Sequence, residues 1–575
     1  MARPLRIGNC SGFYGDRFAA MREMLEGGEL DVLTGDYLAE LTMLLLWRTQ
    51  AKDPSRGYAA SFVRQLEECL GIAWERGVKI VANAGGLNPA GCTAAVREIA
   101  TRLGLRVNVA YVEGDDLLPR RDELARAGLD LPPSTITANA YLGGWGIATA
   151  LEGGAQVVIT GRVTDAALVI GPAAWWHSWA RDDYDALAGA LVTGHVLECG
   201  AQATGGNYSY FNEVPGIEHL GFPLAEIASD GSAVITKHDD TGGLVDVGTV
   251  TAQLLYEIAG PYYLNPDVTA DFRTIRLTQE APDRVRISGV KGLVPPETTK
   301  VCVNTLGGFR NSMTFLLTGL DIEAKADLVR RQLSPVLDGI ETVEWHLSRT
   351  DQDDPDTNER AVARLTVSVK DSDAKKIGRP FSNAAVEIAL ASYPGATMTA
   401  PPGEATPFSV YQPAYIPNSR VEHRVVTQND ERIEVHAEAG GPQPPAPIPA
   451  PPARAYDAGP TWRMPLGAIA GARSGDKGGN ANLGVWVRND AAFEWLAATL
   501  DIAMFQQLLP ETAAFKVERY ELPNLKALNF VVEGLLGDGV ASSTRQDPQA
   551  KGLGEWLRAR LVDVPTSLLE GASDH

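Results

Sequence analysis

The first part of the chain alternates short apolar runs with longer amphipathic stretches. Residues 5–10 (LRIGNC) form an apolar run that breaks into a polar, glycine-containing turn at 11–17 (SGFYGDR), and a helical stretch follows. Residues 30–34 and 78–83 (VKIVAN) repeat the pattern, the second ending in Ala84-Gly85-Gly86 before a helix from about Pro89. Residues 106–112 (RVNVAYV) predict a fourth strand, and 155–160 (AQVVIT) a fifth that closes into Gly161-Arg162-Val163-Thr164-Asp165. Short buried strands alternating with helices of about 10–20 residues predict an α/β fold with a doubly wound, mainly parallel sheet core.

From about residue 200 glycine, proline and aromatic residues become frequent, and runs such as 285–290 (VRISGV) and 363–369 (ARLTVSV) suggest a mixed α/β subdomain or a long insertion, with a boundary near 200–230. Residues 440–454 (GGPQPPAPIPAPPAR) are packed with proline, which fixes φ and lacks an amide donor, so this stretch reads as an extended linker. Beyond it the pattern is strand (465–470), loop, strand (483–487), helix (about 491–508), two strands (515–520 and 528–533) and helix (553–562). Two strands per helix, twice, is the content of a ferredoxin-like α+β domain in a permuted order. The expected division is therefore a core at 1–440, a linker at 441–462 and a C-terminal domain at 463–570.

Composition changes this picture little but excludes several functions. With 575 residues, 45% hydrophobic and 21% charged, the chain is ordinary globular material for two or three domains. A net charge of −21 argues against a nucleic-acid-binding face, which needs clustered Lys and Arg, yet leaves room for an anionic small molecule in a local positive pocket. The five cysteines, at 10, 69, 92, 199 and 302, are scattered without a CxxC pair, so reduced thiols are expected rather than disulfides or zinc. The N-terminus lacks the apolar core of a signal peptide, and the most apolar run, 41–47, is too short to span a bilayer. The expected compartment is the cytoplasm.

Polar, glycine-rich loops follow several strands, and in an open parallel sheet such loops gather at the carboxyl edge. Ser11 and Gly12 lie in the first; it is neither GxGxxG nor a P-loop, and it reads either as an anion-binding turn or as a plain turn with Ser11 or Asp16 capping a helix. Asn83, Gly85 and Gly86 could orient a carbonyl, or could simply lead into a helix capped by Asn88 with Pro89 in its first turn. Arg162 could grip a carboxylate or phosphate and Asp165 act as a base, or the two could form a salt bridge near a helix start. His195 and Glu198, three residues apart, would share a helix face, and histidine moves protons near neutral pH, although a lone histidine is often structural. Asn207 follows in Thr204-Gly205-Gly206-Asn207-Tyr208. Near the C-terminus, Arg473–Asn482 (RSGDKGGNAN) reads as a long loop for anion binding, for contact with the main domain, or as a solvated connection.

Taken in order, IGNCSGFYGDR, GDYLAELTM with the helix pair after it, ANAGGLNP, ITGRVTDAAL and GHVLECGAQATGGNY resemble the N-terminal domain of the acyclic terpene utilisation (AtuA-like) family. ARSGDKGGNANLGV resembles its ferredoxin-like companion domain. The resemblance covers nearly the whole chain outside the linker. It implies bacterial catabolism of citronellol- and geraniol-type compounds in an acyl-CoA setting, without a residue-by-residue catalytic assignment.

The expected function is thus a catabolic enzyme acting on a branched acyl thioester or its carboxylic acid, of hydratase, lyase or hydrolase type. The alternative is a non-catalytic partner in an acyl-CoA carboxylase-type assembly, docked through the small domain. The catalytic candidates are His195, Glu198 and Asp165; the substrate-binding candidates are Ser11, Gly12, Asn83, Gly85, Gly86, Arg162 and Asn207. No metal or cofactor is expected, a CoA thioester entering only as substrate. Expected partners are a small-molecule substrate, acyl-CoA pathway enzymes and further copies of the chain, with neither nucleic acid nor membrane.

Overall fold

The computed structural model describes residues 3–126, 128–400, 403–436, 440–441 and 454–569. Most of the proline-rich linker, residues 442–453, lies outside the described residues. The chain forms two compact units. The first comprises the chain up to Asn304, Tyr411–Val540 and the chain from Asp547 onward; the second comprises Thr305–Val410 with Ala541–Gln546.

The first unit is built on an eleven-stranded sheet. Its parallel centre holds β1 (Leu5–Asn9), β2 (Val32–Gly35), β3 (Lys79–Ala82), β4 (Val109–Glu113) and β6 (Val157–Thr160), in the order β1-β2-β3-β6-β4. β5 (Thr135–Ala140) lies outside this sheet. Side-chain alternation along the parallel strands creates two cores. Val32, Val81, Ala110 and Val158 face the helices Trp145–Glu152, Ala167–His177 and Tyr184–Leu197, whereas Leu33, Ile80, Val109 and Ile159 face Ala20–Gly27, Ala60–Arg76 and Pro89–Arg102. Helices on both faces make the sheet doubly wound, and both faces of its strands are apolar because both are covered. Antiparallel strands extend it on either side: β7 (Pro223–Ile227), β8 (Ala233–Lys237), Arg284–Ser288 and Arg276–Ala281 beyond β1, Arg424–Val426 and Arg432–Glu434 beyond β4. The complete sheet is therefore mixed around a parallel core, and β7 and β8, beyond residue 200, continue it.

The ferredoxin-like stretch belongs to this same unit. Its four strands run in the order Ala470–Lys477, Asn480–Val487, Ala527–Val532, Val517–Leu522, all antiparallel, with helices Asp490–Thr499, Ile502–Leu508 and Leu553–Ala559. The helix expected at 491–508 is divided, the second part starting where the Asp501 carboxylate accepts from the Met504 amide. Residues 473–482 are not a loop: they are the closing half of a hairpin with the two-residue turn Gly478-Gly479, where Gly478 has φ +65°. Small residues recur there because one face of the hairpin packs closely on the rest of the unit. A Cβ on Gly475 would lie 2.3 Å from the Tyr256 ring, and one on Gly484 would lie 2.4 Å from Leu255 Cβ. Tyr208 stacks on Trp486 at 6.2 Å across the same seam, and the Ala472 amide donates to Ser209 Oγ at 3.0 Å.

The second unit pairs residues 309–318 antiparallel with Val362–Asp371, and that strand with Thr342–Ser348. Helices Ile322–Leu337 and Arg379–Glu387 enclose its core around Phe315, Leu333, Leu365 and Phe381. No helix among the described residues is long and apolar enough to cross a membrane.

Candidate functional site

The register of the parallel strands brings their carboxyl ends into line. Asn9 pairs with Thr34, Gly35 with Ala82 and Ala82 with Ile159, so Asn9, Asp36, Asn83 and the turn 160–165 share one edge. Polar residues there interlock. Asn83 donates through Nδ2 to Asp36 Oδ1 at 2.7 Å and accepts at Oδ1 from the Tyr37 amide at 2.7 Å. Arg162 donates to the Leu38 carbonyl at 2.9 Å, lies 3.6 Å from Asp165 Oδ1 and stacks 4.4 Å from the Tyr141 ring centre. The Gly85 amide donates to Thr160 O at 3.0 Å, and Gly86 turns the chain at φ +53°. Asn88 caps the helix at Pro89 by accepting from Gly91 N at 2.9 Å.

The first loop is a closed turn. Ser11 Oγ donates to Phe13 O at 3.1 Å, the Ser11 amide donates to Asn9 Oδ1, and Asp16 accepts from the Gly12 and Arg17 amides. Neither Ser11 nor Asp16 caps the following helix, which begins at Ala20 without a side-chain cap, because both are consumed inside the turn. Gly12 is glycine because a Cβ would stand 2.8 Å from the Cys199 backbone.

That contact joins the sheet edge to the second part of the site. Helix Tyr184–Leu197 is apolar on every side and is buried throughout most of its length. Its last carbonyls, which a helix cannot satisfy internally, accept from Asn9 Nδ2: Leu197 O at 2.6 Å and Glu198 O at 3.1 Å. A Cβ on Gly194 would meet Ala166 Cα at 2.8 Å, so the helix approaches the 160–165 turn closely, and the charge of Asp165 reaches Glu198. His195 Nδ1 lies 3.2 Å from Glu198 Oε1, and its ring sits 5.0 Å from Tyr263 and 5.9 Å from Phe272.

Burial dominates the electrostatics. It pushes Glu198 well above the usual carboxylate range, an effect reinforced by Asp165 and Glu257 and opposed by Lys477 and Arg162. Asp36 is raised for the same reason, with Asp165 adding to the shift and Arg162 and Asn83 opposing it. Burial, with the charge of Lys477 adding to it, lowers His195 to about 4, so the imidazole is neutral near neutral pH. Asp115, which accepts from the Arg162 amide and from Asn139 Nδ2, is pushed up to about 7 by burial. The Glu198 side chain is only 6% exposed, and its Oε2 has no hydrogen-bond partner among the described residues; Asp165, 30% exposed, is the more open carboxylate.

Thus His195, Glu198, Asp165, Arg162, Asn83, Ser11, Gly12, Gly85 and Gly86 all lie on or against one sheet edge. Asn207 does not join the carboxyl cluster through any contact of its side chain: it is exposed at φ +56°, bonds to Gln202 at 3.4 Å, and its carbonyl accepts from Arg473 at 3.4 Å. Asp36, Glu257, Tyr263 and Lys477 also belong to the site; Lys477 lies in the 473–482 segment read as an anion-binding loop, whereas no local motif singles out Glu257 or Tyr263. Asp36 carried one readable signal, a carboxylate directly after a parallel strand, in the position Asn83 occupies after the next. Among the described residues no group of three or more His, Cys, Asp or Glu side chains could hold a metal ion.

A cluster holding a protonated carboxyl, a second carboxylate and nearby cations can donate and accept protons beside an anionic group. No curated protein matches this chain. The AtuA ferredoxin-like domain matches residues 464–563, which hold Lys477, and the description "Acyclic terpene utilisation family protein AtuA" matches residues 5–427, which hold the other residues of the site. Since that match covers well over half of its length, the chain belongs to the acyclic terpene utilisation family.

Proposed function

We propose that the protein is a catabolic enzyme of acyclic terpene or branched acyl-CoA breakdown. Its substrate is a branched acyl thioester or the corresponding acid, and its reaction is a proton-transfer step of the hydratase, lyase or hydrolase kind. The observation that carries this reading is the enclosed Glu198 carboxyl, whose Oε2 has no hydrogen-bond partner among the described residues and whose proton burial favours, with the more open Asp165 on the same sheet edge. A buried carboxyl raised in this way is an acid at neutral pH, and a second, more open carboxylate beside it supplies the base. His195, neutral and enclosed by Tyr263 and Phe272, positions Glu198 instead of exchanging protons with substrate.

The test is incubation of the purified protein with a panel of branched acyl-CoAs and their free acids, read by mass spectrometry. Gain or loss of water, or cleavage of the acyl chain or thioester, is the expected result. Glu198→Gln and Asp165→Asn should each lower the rate by about 10²–10⁴. No mass change across the panel, together with co-purification of acyl-CoA carboxylase subunits, would replace the enzyme by a non-catalytic partner.

A further inference from the structure

The ferredoxin-like domain contributes a side chain to the carboxyl cluster. Along Ala470–Lys477 alternate residues point to opposite faces. Ala470 and Ala472 enter the domain's own core. Arg473, Gly475 and Lys477 share the other face: the Arg473 guanidinium lies 4.3 Å from the Tyr256 ring centre, Gly475 sits against that same ring, and Lys477 Nζ lies 5.6 Å from the Tyr263 ring centre. The hairpin is held in this position from both strands, since the Glu257 amide donates to Asn482 Oδ1 at 2.7 Å and Ser209 Oγ bonds to Ala472. Tyr263 in turn packs on His195, the neighbour of Glu198.

Lys477 is therefore a half-buried cation whose charge acts on Glu198 and His195, yet among the described residues its ammonium makes no ion pair or hydrogen bond. Arg162, the other cation of the cluster, is buried and spent on the Leu38 carbonyl, Asp165 and the Tyr141 face. Glu198 Oε2 is the complementary feature, a buried polar atom with no hydrogen-bond partner among the described residues, on a carboxyl that the Lys477 charge reaches. On a chain of net charge −21, a local cation is what draws an anionic substrate to one place.

We propose that Lys477, delivered by the ferredoxin-like hairpin, binds the anionic oxygen of the substrate beside Glu198. That oxygen is the carboxylate of a free branched acid or the carbonyl oxygen of its thioester, which gains negative charge as the reaction proceeds. The assignment rests on the proposed proton-transfer reading and adds to it a binding residue from a separate domain. The small domain is then a part of the site, and removing it removes the site's accessible cation.

Amine acetylation of the full-length protein, followed by peptide mass spectrometry, tests this with 3-methylbutanoate, 3-methylbutanoyl-CoA and coenzyme A as probes. Saturating acid or thioester should slow modification of Lys477 at least several-fold while leaving the exposed Lys516 unchanged, and coenzyme A alone should not protect. Protection by the acid identifies the carboxylate as the source, and protection by the thioester only identifies the carbonyl. Equal labelling with and without the probes, or equal protection by coenzyme A alone, overturns the proposal. In a parallel measurement Lys477→Met should weaken probe binding about 10- to 100-fold, the range expected for a lost charge-assisted hydrogen bond, and Lys477→Arg should recover part of it. Protection of Lys477 without turnover would leave this assignment standing and remove the reaction; turnover with unchanged binding in Lys477→Met would do the reverse. Should the variant fail to fold, the labelling of the unmodified chain still decides.

Discussion

Replacing Asn83 by alanine should open the sheet edge locally. Asn83 is fully buried and makes two bonds of 2.7 Å, one to each of two consecutive residues: it accepts from the Tyr37 amide and donates to Asp36. Asn83→Ala strands the Tyr37 amide away from water, whereas Asp36 Oδ1 keeps the bond it accepts from the Leu38 amide at 3.0 Å. A stranded buried polar group costs about 1–3 kcal/mol, so the substitution should cost about 1–3 kcal/mol. Asn83→Asp separates the two effects. Its carboxylate can still accept from Tyr37, but it faces Asp36 where an amide donor stood, so the folded protein must keep a shared proton. A carboxyl raised in the folded state contributes stability that is present below its unfolded value, near 4, and lost as pH rises toward the folded value. Asn83→Asp should therefore approach the parent protein at low pH and fall progressively behind it as pH rises above about 4. Hydrogen-exchange mass spectrometry on peptides spanning 34–42 reads the local opening at each pH, and denaturant unfolding reads the global loss. An Asn83→Ala protein within about 0.5 kcal/mol of the parent, the range of an inconsequential surface change, would refute this account of the edge.

The hairpin contact should be equally sensitive: Gly475→Val places a Cβ 2.3 Å from the Tyr256 ring, and overpacking of this kind costs about 1–3 kcal/mol. Limited proteolysis should then release the ferredoxin-like domain faster than from the parent, and an unchanged cleavage rate would show that the seam tolerates the added atoms. His195 should contribute to acid sensitivity. Its pKa is lowered to about 4 in the fold against 6.5 ordinarily, so its contribution to stability is complete above about 6.5 and lost as pH falls toward 4. His195→Gln should flatten the thermal-stability profile across that window, and if catalysis is present it should move the pH limb governed by Glu198. An unaltered stability profile would mean that the imidazole is not buried neutral.

Much of the fold was legible because local pattern and burial agreed. Runs such as VKIVAN and AQVVIT hold consecutive apolar residues that point to both faces, and they became β3 and β6, covered on both faces. The Asn88-Pro89 helix start followed from the chemistry of those two residues alone. The failures have physical causes. RSGDKGGNAN looked like a loop because its residues are small and polar, yet Gly475 within it is small because Tyr256 presses against that hairpin from far away in sequence. Ser11 and Asp16 looked like helix caps, but the turn between them used their hydrogen-bonding capacity before the helix began.

The same distinction applies to the site. Sequence alone determined that polar residues follow each parallel strand, since a strand buried on both faces must emerge into water or ligand at its end, and this was enough to select Asn83, Arg162 and Asp165. It also determined the pairing of His195 with Glu198, because three residues on a helix bring two side chains to one face. Only the tertiary structure decided which of these groups holds a proton, because that depends on burial and on charges contributed by Asp165, Glu257 and Lys477 from separate segments. Only the tertiary structure, too, brought Lys477 to the cluster. Its place depends on a hairpin packed through glycine against Tyr256, a contact between residues more than two hundred positions apart that no local pattern encodes.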